Sequence, residues 1–207
     1  FAAVLPRVGR TADEEGLREQ LRTAKERGVE CAVLGNLGHF ALVRGLDMEL
    51  RGDFGLNVFN SAALRFLKEQ GLSGATLSFE LRHEQLRDIS KCIPCEAIVY
   101  GRLPLMQTRN CPVKNGTTCS QCRKHGFLTD RLGVKFPVEC TPFASTLLNS
   151  VPVVESDKRE QFEFADFSLL WFTTETKDEC EKILESYRRG DVPQGEFTRG
   201  LLYRGVE

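Results

Sequence analysis

Through the first half of the chain one phrase recurs: a short apolar run, one or two polar residues, then a stretch with helical periodicity. Ala2 to Leu5 leads to a helix opened by Thr11-x-x-Glu14, a capping box, with Leu17, Leu21 and Ala24 on one face and Gly28 just past its end. Cys31 to Leu34 closes on Gly35-Asn36 before a short helical stretch from His39. Leu56 to Phe59 is followed by Asn60, an N-cap for 62–70, with Gly71 at the end. Ala75 to Phe79 precedes Glu80 and a helix carrying Leu86 and Ile89, and Ala97 to Tyr100 runs into Gly101-Arg102. The pattern returns at Phe167 to Phe172, where Thr176-x-x-Glu179 caps a helix with Cys180, Ile183, Leu184 and Tyr187 on one face and Gly190 behind it. Strands alternating with helices at this interval predict right-handed βαβ units and a parallel sheet. A closed barrel of such units takes eight strands in about 250 residues. Six phrases in 207 residues, without an initiator Met, predict an α/β fold: a partial TIM-like (β/α) barrel lacking its N-terminal strands. Such a sheet exposes edges at Ala2 to Leu5 and Phe167 to Phe172, and leaves apolar surface near Phe1 and Trp171. Those edges are expected to pair with a second copy or with residues outside the sequence. An open doubly wound sheet is the alternative, although no Gly-rich phosphate loop stands where that fold usually carries one.

Residues 103–150 break the pattern. Cys111, Cys119, Cys122 and Cys140 are spaced C-x7-C-x2-C-x17-C, the middle pair sitting among Lys, Asn, Gly, Thr, Ser and Gln rather than on an apolar face. Four thiolates so placed form a ligand set for tetrahedral zinc or for an iron-sulfur cluster, and the spacing leaves the two open. His125, three residues after Cys122, is a lesser candidate ligand. Cys31 and Cys180 read as small buried hydrophobes. Cys92-x-x-Cys95 reads as two half-buried thiols, since the segment does not open a helix as redox motifs do. Phe127-Leu128-Thr129 and Val134-Lys135-Phe136 flank Asp130 to Gly133 as a hairpin. The chain thus divides into βα repeats at 1–102, a cysteine-rich insertion at 103–150, and a final βα unit with a tail at 151–207.

Ligands of parallel βα arrays bind at the carboxyl ends of the strands. Asn36, Asn57, Asn60, Glu80 and Arg102 all fall at predicted strand ends, which marks Glu80 and Arg102 as catalytic candidates and the three asparagines as substrate-binding ones. Glu80 is the acid/base candidate, because a carboxylate after an apolar strand is readily tuned by burial. No HExxH and no GxSxG is present, so neither a His-rich hydrolase site nor a serine nucleophile elbow is supported. With 41% hydrophobic and 28% charged residues the chain can bury a sizeable core, and its net charge of -1 gives no global nucleic-acid footprint. Locally, Arg102, Arg109, Lys114, Arg123, Lys124, Arg131 and Lys135 face only Asp130, a basic segment around the thiols. No apolar run reaches bilayer length and the start lacks a signal-peptide pattern, so a soluble, cytoplasmic protein with reduced thiols is expected.

The run Glu96-Ala97-Ile98-Val99-Tyr100-Gly101-Arg102-Leu103-Pro104-Leu105-Met106, continued by Cys111-Pro112, the CxxC, Leu128-Thr129-Asp130-Arg131, Phe136-Pro137-Val138, Cys140 and Asn149-Ser150, closely resembles the peptidase U32 family, the collagenase-like peptidases. Gly35-Asn36-Leu37-Gly38, Leu56 to Asn60, Ser78-Phe79-Glu80 and Phe197 to Val206 resemble it in the same order. The resemblance implies a TIM-like barrel. It also implies that the four cysteines hold a 4Fe-4S cluster, as in members that hydroxylate RNA bases or quinone precursors without oxygen, with RNA then a partner. Two alternatives stand beside it: a collagenase-like protease with a structural zinc, and a non-catalytic binding module that zinc staples together. The cysteine spacing departs from the RNA- and quinone-modifying members and follows the branch with the Arg-Leu-Pro-Leu-Met segment.

Overall fold

The computed structural model describes residues 1–204 except 115, 117, 123–125 and 142. His125, Arg123 and Lys124 therefore lie outside the described residues. The chain forms two compact units: Phe1–Ala97 with Phe162–Ser168 and the residues from Leu201, and Ile98–Gln161 with Leu169–Gly200.

The first unit runs β1 (Ala2–Val4), α1 (Glu14–Glu26), β2 (Cys31–Leu34), α2 (His39–Val43), β3 (Glu49–Gly52), α3 (Ser61–Glu69), β4 (Gly74–Thr76), α4 (His83–Asp88) and the start of β5 (Cys95–Gly101). All four adjacent pairs from β1 to β5 are parallel. The strands lie side by side in chain order, β1-β2-β3-β4-β5. A doubly wound sheet would reverse its order at a switch point; these five strands wind in one sense, the order of a (β/α) barrel. The core of this unit draws Leu17 and Leu21 from α1, Leu64 and Leu67 from α3, and Ala32, Leu34, Ala75 and Leu77 from the strands and the residue after β4, all at most 6% exposed. Each such leucine stabilises the unit by roughly 1.5–3 kcal/mol before entropy is counted.

Two expectations for this unit are corrected. The third strand is β3, not Leu56 to Phe59: Phe54–Leu56 is a 3-10 turn and Asn57 adopts left-handed backbone at φ 54°, which leaves Val58 in a single parallel bridge to Leu77. β3 escapes notice in the sequence because Glu49-Leu50-Arg51-Gly52 has no apolar run. It becomes a strand because β2 and β4 offer ladders on both sides, and Arg51 Nη2 reaches Glu96 Oε1 of β5 at 3.0 Å. The Thr11-x-x-Glu14 box also does not form. Thr11–Asp13 is instead a 3-10 turn, with the Arg10 backbone N–H and Nε donating to Asp13 Oδ2 at 3.2 and 3.0 Å. The Asn60 cap does form, its Oδ1 accepting the Ala63 N–H at 2.9 Å.

The second unit takes up the end of β5, then β6 (Pro104–Thr108), the one-turn α5 (Cys119–Cys122), β7 (Gly126–Thr129), β8 (Lys135–Cys140), β9 (Ser145–Leu148), β10 (Val153–Val154), the larger part of β11 (Phe167–Trp171), and α6 (Lys177–Arg189). β10 pairs antiparallel with the end of β5, so the main sheet is mixed though mostly parallel, and β11 also pairs with β5. The cysteine-bearing segment is more than a hairpin: it is a four-stranded antiparallel sheet, β6-β9-β8-β7. The hairpin itself is as expected, with Thr129 opposite Lys135 and Leu128 opposite Phe136. Asp130 Oδ1 accepts the N–H groups of Leu132 and Val134 at 2.8 and 2.9 Å, which closes the turn. Among the described residues no helix is long and apolar enough to cross a membrane.

Candidate functional site

In the first unit the carboxyl ends of the parallel strands carry a polar network. Arg7 follows β1, Asn36 follows β2, Asp53 follows β3 and Ser78 follows β4. Arg7 Nε meets Asp53 Oδ2 at 2.7 Å while its guanidinium lies 3.8 Å over the Phe54 ring. The aliphatic stem of Arg7 passes between two glycines. A Cβ on Gly35 would come within 2.7 Å of Arg7 Cγ, and one on Gly55 within 2.8 Å of Arg7 Cδ. Asn36 Nδ2 donates to the Arg7 carbonyl at 2.8 Å and lies 2.8 Å from His39 Nε2, while His39 Nδ1 accepts the Gly35 N–H at 3.1 Å. Burial pushes the His39 pKa down, against smaller upward pulls from the Pro6 carbonyl and Asp53. Ser78 Oγ donates to Asn57 Oδ1 at 2.9 Å and accepts the Glu80 N–H at 3.4 Å.

Of the residues singled out in the sequence, the first unit thus joins Asn57 to Glu80 through Ser78 and sets Asn36 beside His39. Glu80 is exposed, and Asn60 serves as the cap of α3. Arg7, His39, Asp53 and Ser78 escaped the sequence reading. Asp53 follows a strand with no apolar run, so no local pattern marks it as a strand end.

Arg102 belongs to the second unit, where β5 ends and the segment after β11 begins. A cavity of about 990 Å³ opens there, lined by Tyr100, Arg102 and Glu175 together with Glu179, Lys182 and Ser186 of α6. Glu175 is held on all sides: Oε1 accepts the Tyr100 hydroxyl at 3.0 Å, Oε2 accepts the N–H groups of Thr173 and Thr174 at 2.7 and 3.0 Å, and Arg102 Nε stands 4.0 Å away. Arg102 Nε donates to Thr174 Oγ1 at 3.2 Å and Nη1 to the carbonyls of Asn149 and Ser150. These contacts fix the guanidinium plane. Burial, then the Glu175 charge, raises the Tyr100 pKa well above its ordinary value, so its phenol stays protonated and donates.

A second network in this unit ties the chain after β10 to the tail. Arg199 makes a bidentate pair with Asp157 at 2.7 and 2.8 Å, donates to the Val154 carbonyl at 2.7 Å, and reaches the fully buried Glu155 at 3.3 Å. The Tyr187 hydroxyl donates to the Val99 carbonyl and accepts the Glu155 N–H at 3.0 Å.

The thiols lie within the same unit. Cys111 precedes a turn, Cys119 and Cys122 share the single turn of α5, and Cys140 ends β8. Residues three apart on a helical turn face the same way, which places the CxxC pair on one side of α5. Burial raises the Cys140 pKa. Ser145 pulls it down, and Cys111, as both hydrogen-bond partner and charge, and then Cys122 push it up. Cys111 and Cys122 are thus the two other thiols that bear on Cys140. Cys122 Sγ packs 3.0 Å from where a Cβ on Gly126 would stand, and Cys119 is exposed. Among the described residues, no group of three or more His, Cys, Asp or Glu side chains already has the arrangement that holds a metal ion. In chemical kind the four thiols nevertheless suit a thiophilic metal or cluster: all are soft donors, and two of them share one helical turn. Cys92 and Cys95 differ. Cys95 is fully buried, its thiol pushed up to about 11 chiefly by that burial, and it donates to the Ile93 carbonyl at 3.3 Å, the behaviour of an inert thiol.

Against known proteins, the sequence model of peptidase family U32 matches residues 5–124, more than half of the chain. No curated protein and no solved structure gives a significant match.

Proposed function

The chain belongs to peptidase family U32, and from that premise we propose an iron-sulfur-dependent enzyme of the RNA-hydroxylating or RNA-modifying type. The single observation that carries this reading is the set of four free cysteines within one unit, Cys119 and Cys122 on one helical turn and Cys111 and Cys122 both bearing on Cys140. Cys111, Cys119, Cys122 and Cys140 would hold a 4Fe-4S cluster, which supplies one-electron chemistry when bound. The rest is the work of the chain's own side chains. Arg102, its plane fixed by Thr174 and two carbonyls, presents a preorganised cation to an anionic group of the substrate. Asn36 after β2, Asn57 after the 3-10 turn and Asn60 at the cap of α3 are the residues we assign to amide contacts with a base. Glu80, exposed and next to Ser78, is the residue we assign to proton exchange with a bound substrate. A reducing, cytoplasmic setting suits eight free thiols.

Anaerobic purification followed by an optical spectrum and metal analysis tests the reading. Iron with acid-labile sulfide supports it. Stoichiometric zinc with no sulfide, after anaerobic handling, turns the assignment to a protease or binding module stapled by structural zinc. Glu80→Gln is expected to lower turnover more than substrate binding, the mark of a group acting in the transition state. An unchanged rate would make Glu80 a rim carboxylate.

A further inference from the structure

Cys140 and Ser145 stand directly opposite each other in the antiparallel pairing of β8 with β9. Cys140 Sγ lies 3.6 Å from Ser145 Oγ. Ser145 is only 5% exposed, and a buried hydroxyl left without an acceptor costs about 1–3 kcal/mol. A thiol is a weak acceptor, whereas a thiolate, free or bound to metal, is a strong one. The register that creates this pair is itself secured. Thr141 Oγ1 donates to the Ala144 carbonyl at 3.0 Å and accepts the Ala144 N–H at 3.1 Å, which closes the connection between the two strands. At Cys122, Gly126 leaves the sulfur no space for an intervening side chain, since a Cβ there would stand 3.0 Å from Sγ and 2.9 Å from Val113 Cγ2. The sulfurs are thus backed by bare β7 backbone at Cys122 and by one hydroxyl donor at Cys140.

We propose that Ser145 is a positioning residue for the thiolate centre, donating its hydroxyl proton to the Cys140 sulfur when that sulfur is a ligand. The inference rests on the reading of the four cysteines as a ligand set. A hydrogen bond to a ligating sulfur fixes the side-chain rotamer and favours the thiolate, which tightens binding, and it draws negative charge off the sulfur, which raises the reduction potential of a cluster.

The test uses the full chain, prepared without metal under anaerobic conditions, with Co(II) as the probe. Thiolate-to-cobalt charge-transfer absorption reports ligation, and competition with a chelator gives affinity. Ser145→Ala is expected to weaken Co(II) binding by about 10-fold or more, the usual effect of losing an outer-shell partner. Ser145→Thr keeps the hydroxyl and should retain wild-type affinity, while its isostere Ser145→Val should lose as much as Ala; this pair carries the test should the Ala variant not fold. In chains reconstituted with iron and sulfide, the Ala and Val variants should show a more negative potential than wild type and Thr. Equal affinity and potential across all four proteins overturns the role of Ser145 and leaves the ligand set standing. Absence of any charge-transfer band in the wild type overturns the ligand set itself.

Discussion

His39 is 3% exposed, and its ring is committed at both nitrogens, to the Gly35 N–H and toward Asn36. Burial holds its folded-state pKa below the ordinary 6.5. The unfolded chain therefore takes up this proton more readily than the folded one. Stability is fully present above about pH 6.5 and falls as pH drops toward the lowered folded value. The urea midpoint should decline between about pH 7.5 and about pH 5, and His39→Gln should flatten that slope; a parallel slope in the variant would remove His39 as its source. Two glycines provide a contrast at the same scale. A Cβ on Gly55 would meet the Gly35 carbonyl oxygen at 2.5 Å as well as the Arg7 stem, so Gly55→Ala should destabilise by about 1–3 kcal/mol through displacement of the Arg7–Asp53 pair. Gly16, inside α1 with nothing within 4 Å of a Cβ, should gain about 0.5–1 kcal/mol on change to Ala. Denaturant titration of the two variants reads both signs.

Among the elements, α6 shows how a helix is bounded by local chemistry. Glu179 Oε2 accepts the Thr176 N–H at 2.7 Å, Thr176 Oγ1 accepts the Glu179 N–H at 3.4 Å, and Gly190 closes the other end in left-handed backbone at φ 78°. The Thr176 backbone and hydroxyl hold the Glu179 carboxyl below its usual range, as a cap should. Thr176→Ala should cost about 1 kcal/mol and lower the thermal midpoint by about 2–4 °C. β1 presents the opposite case. It is the terminal strand of the order, hydrogen-bonded to β2 alone among the described strands, with Phe1 fully exposed and Val4 68% exposed. Trp171, the other residue expected to lie uncovered, is half-buried. An open edge bearing apolar side chains favours pairing with a second copy. Sedimentation should show concentration-dependent association that Val4→Lys suppresses, and a wild-type monomer at all concentrations would rule this out.

For the molecule as a whole, the placement of all four candidate ligands in the second unit has a measurable consequence. Loading the thiols with metal should slow amide exchange across Pro104–Leu148 while leaving β1 to β4 at their apo rates, because ligand bonds stabilise the sheet that carries them. Uniform protection of both units would show that metal acts on global stability alone.

What the sequence determined by itself is what neighbouring residues can decide. The apolar runs of β1, β2, β5 and β11, the Asn60 and Thr176 caps and the Asp130 turn each depend on contacts within a few positions, and each is legible. The parallel pattern followed from their alternation. Tertiary structure decided the remainder. Glu49-Leu50-Arg51-Gly52 is a strand only because two ladders receive it, while Leu56 to Phe59, apolar enough to be one, is turned away at Asn57. The same displacement puts Asp53 rather than Asn57 at the end of β3 and so selects Arg7 as its partner, 46 residues away in the chain. The cavity around Arg102 and the hydroxyl beside Cys140 arise likewise from segments brought together by strand pairing and by the course of the chain after β11. The energies around Arg102 come from burial and hydrogen bonds between residues far apart in sequence, and Ser145 reaches Cys140 only through the β8–β9 register, which no local pattern encodes.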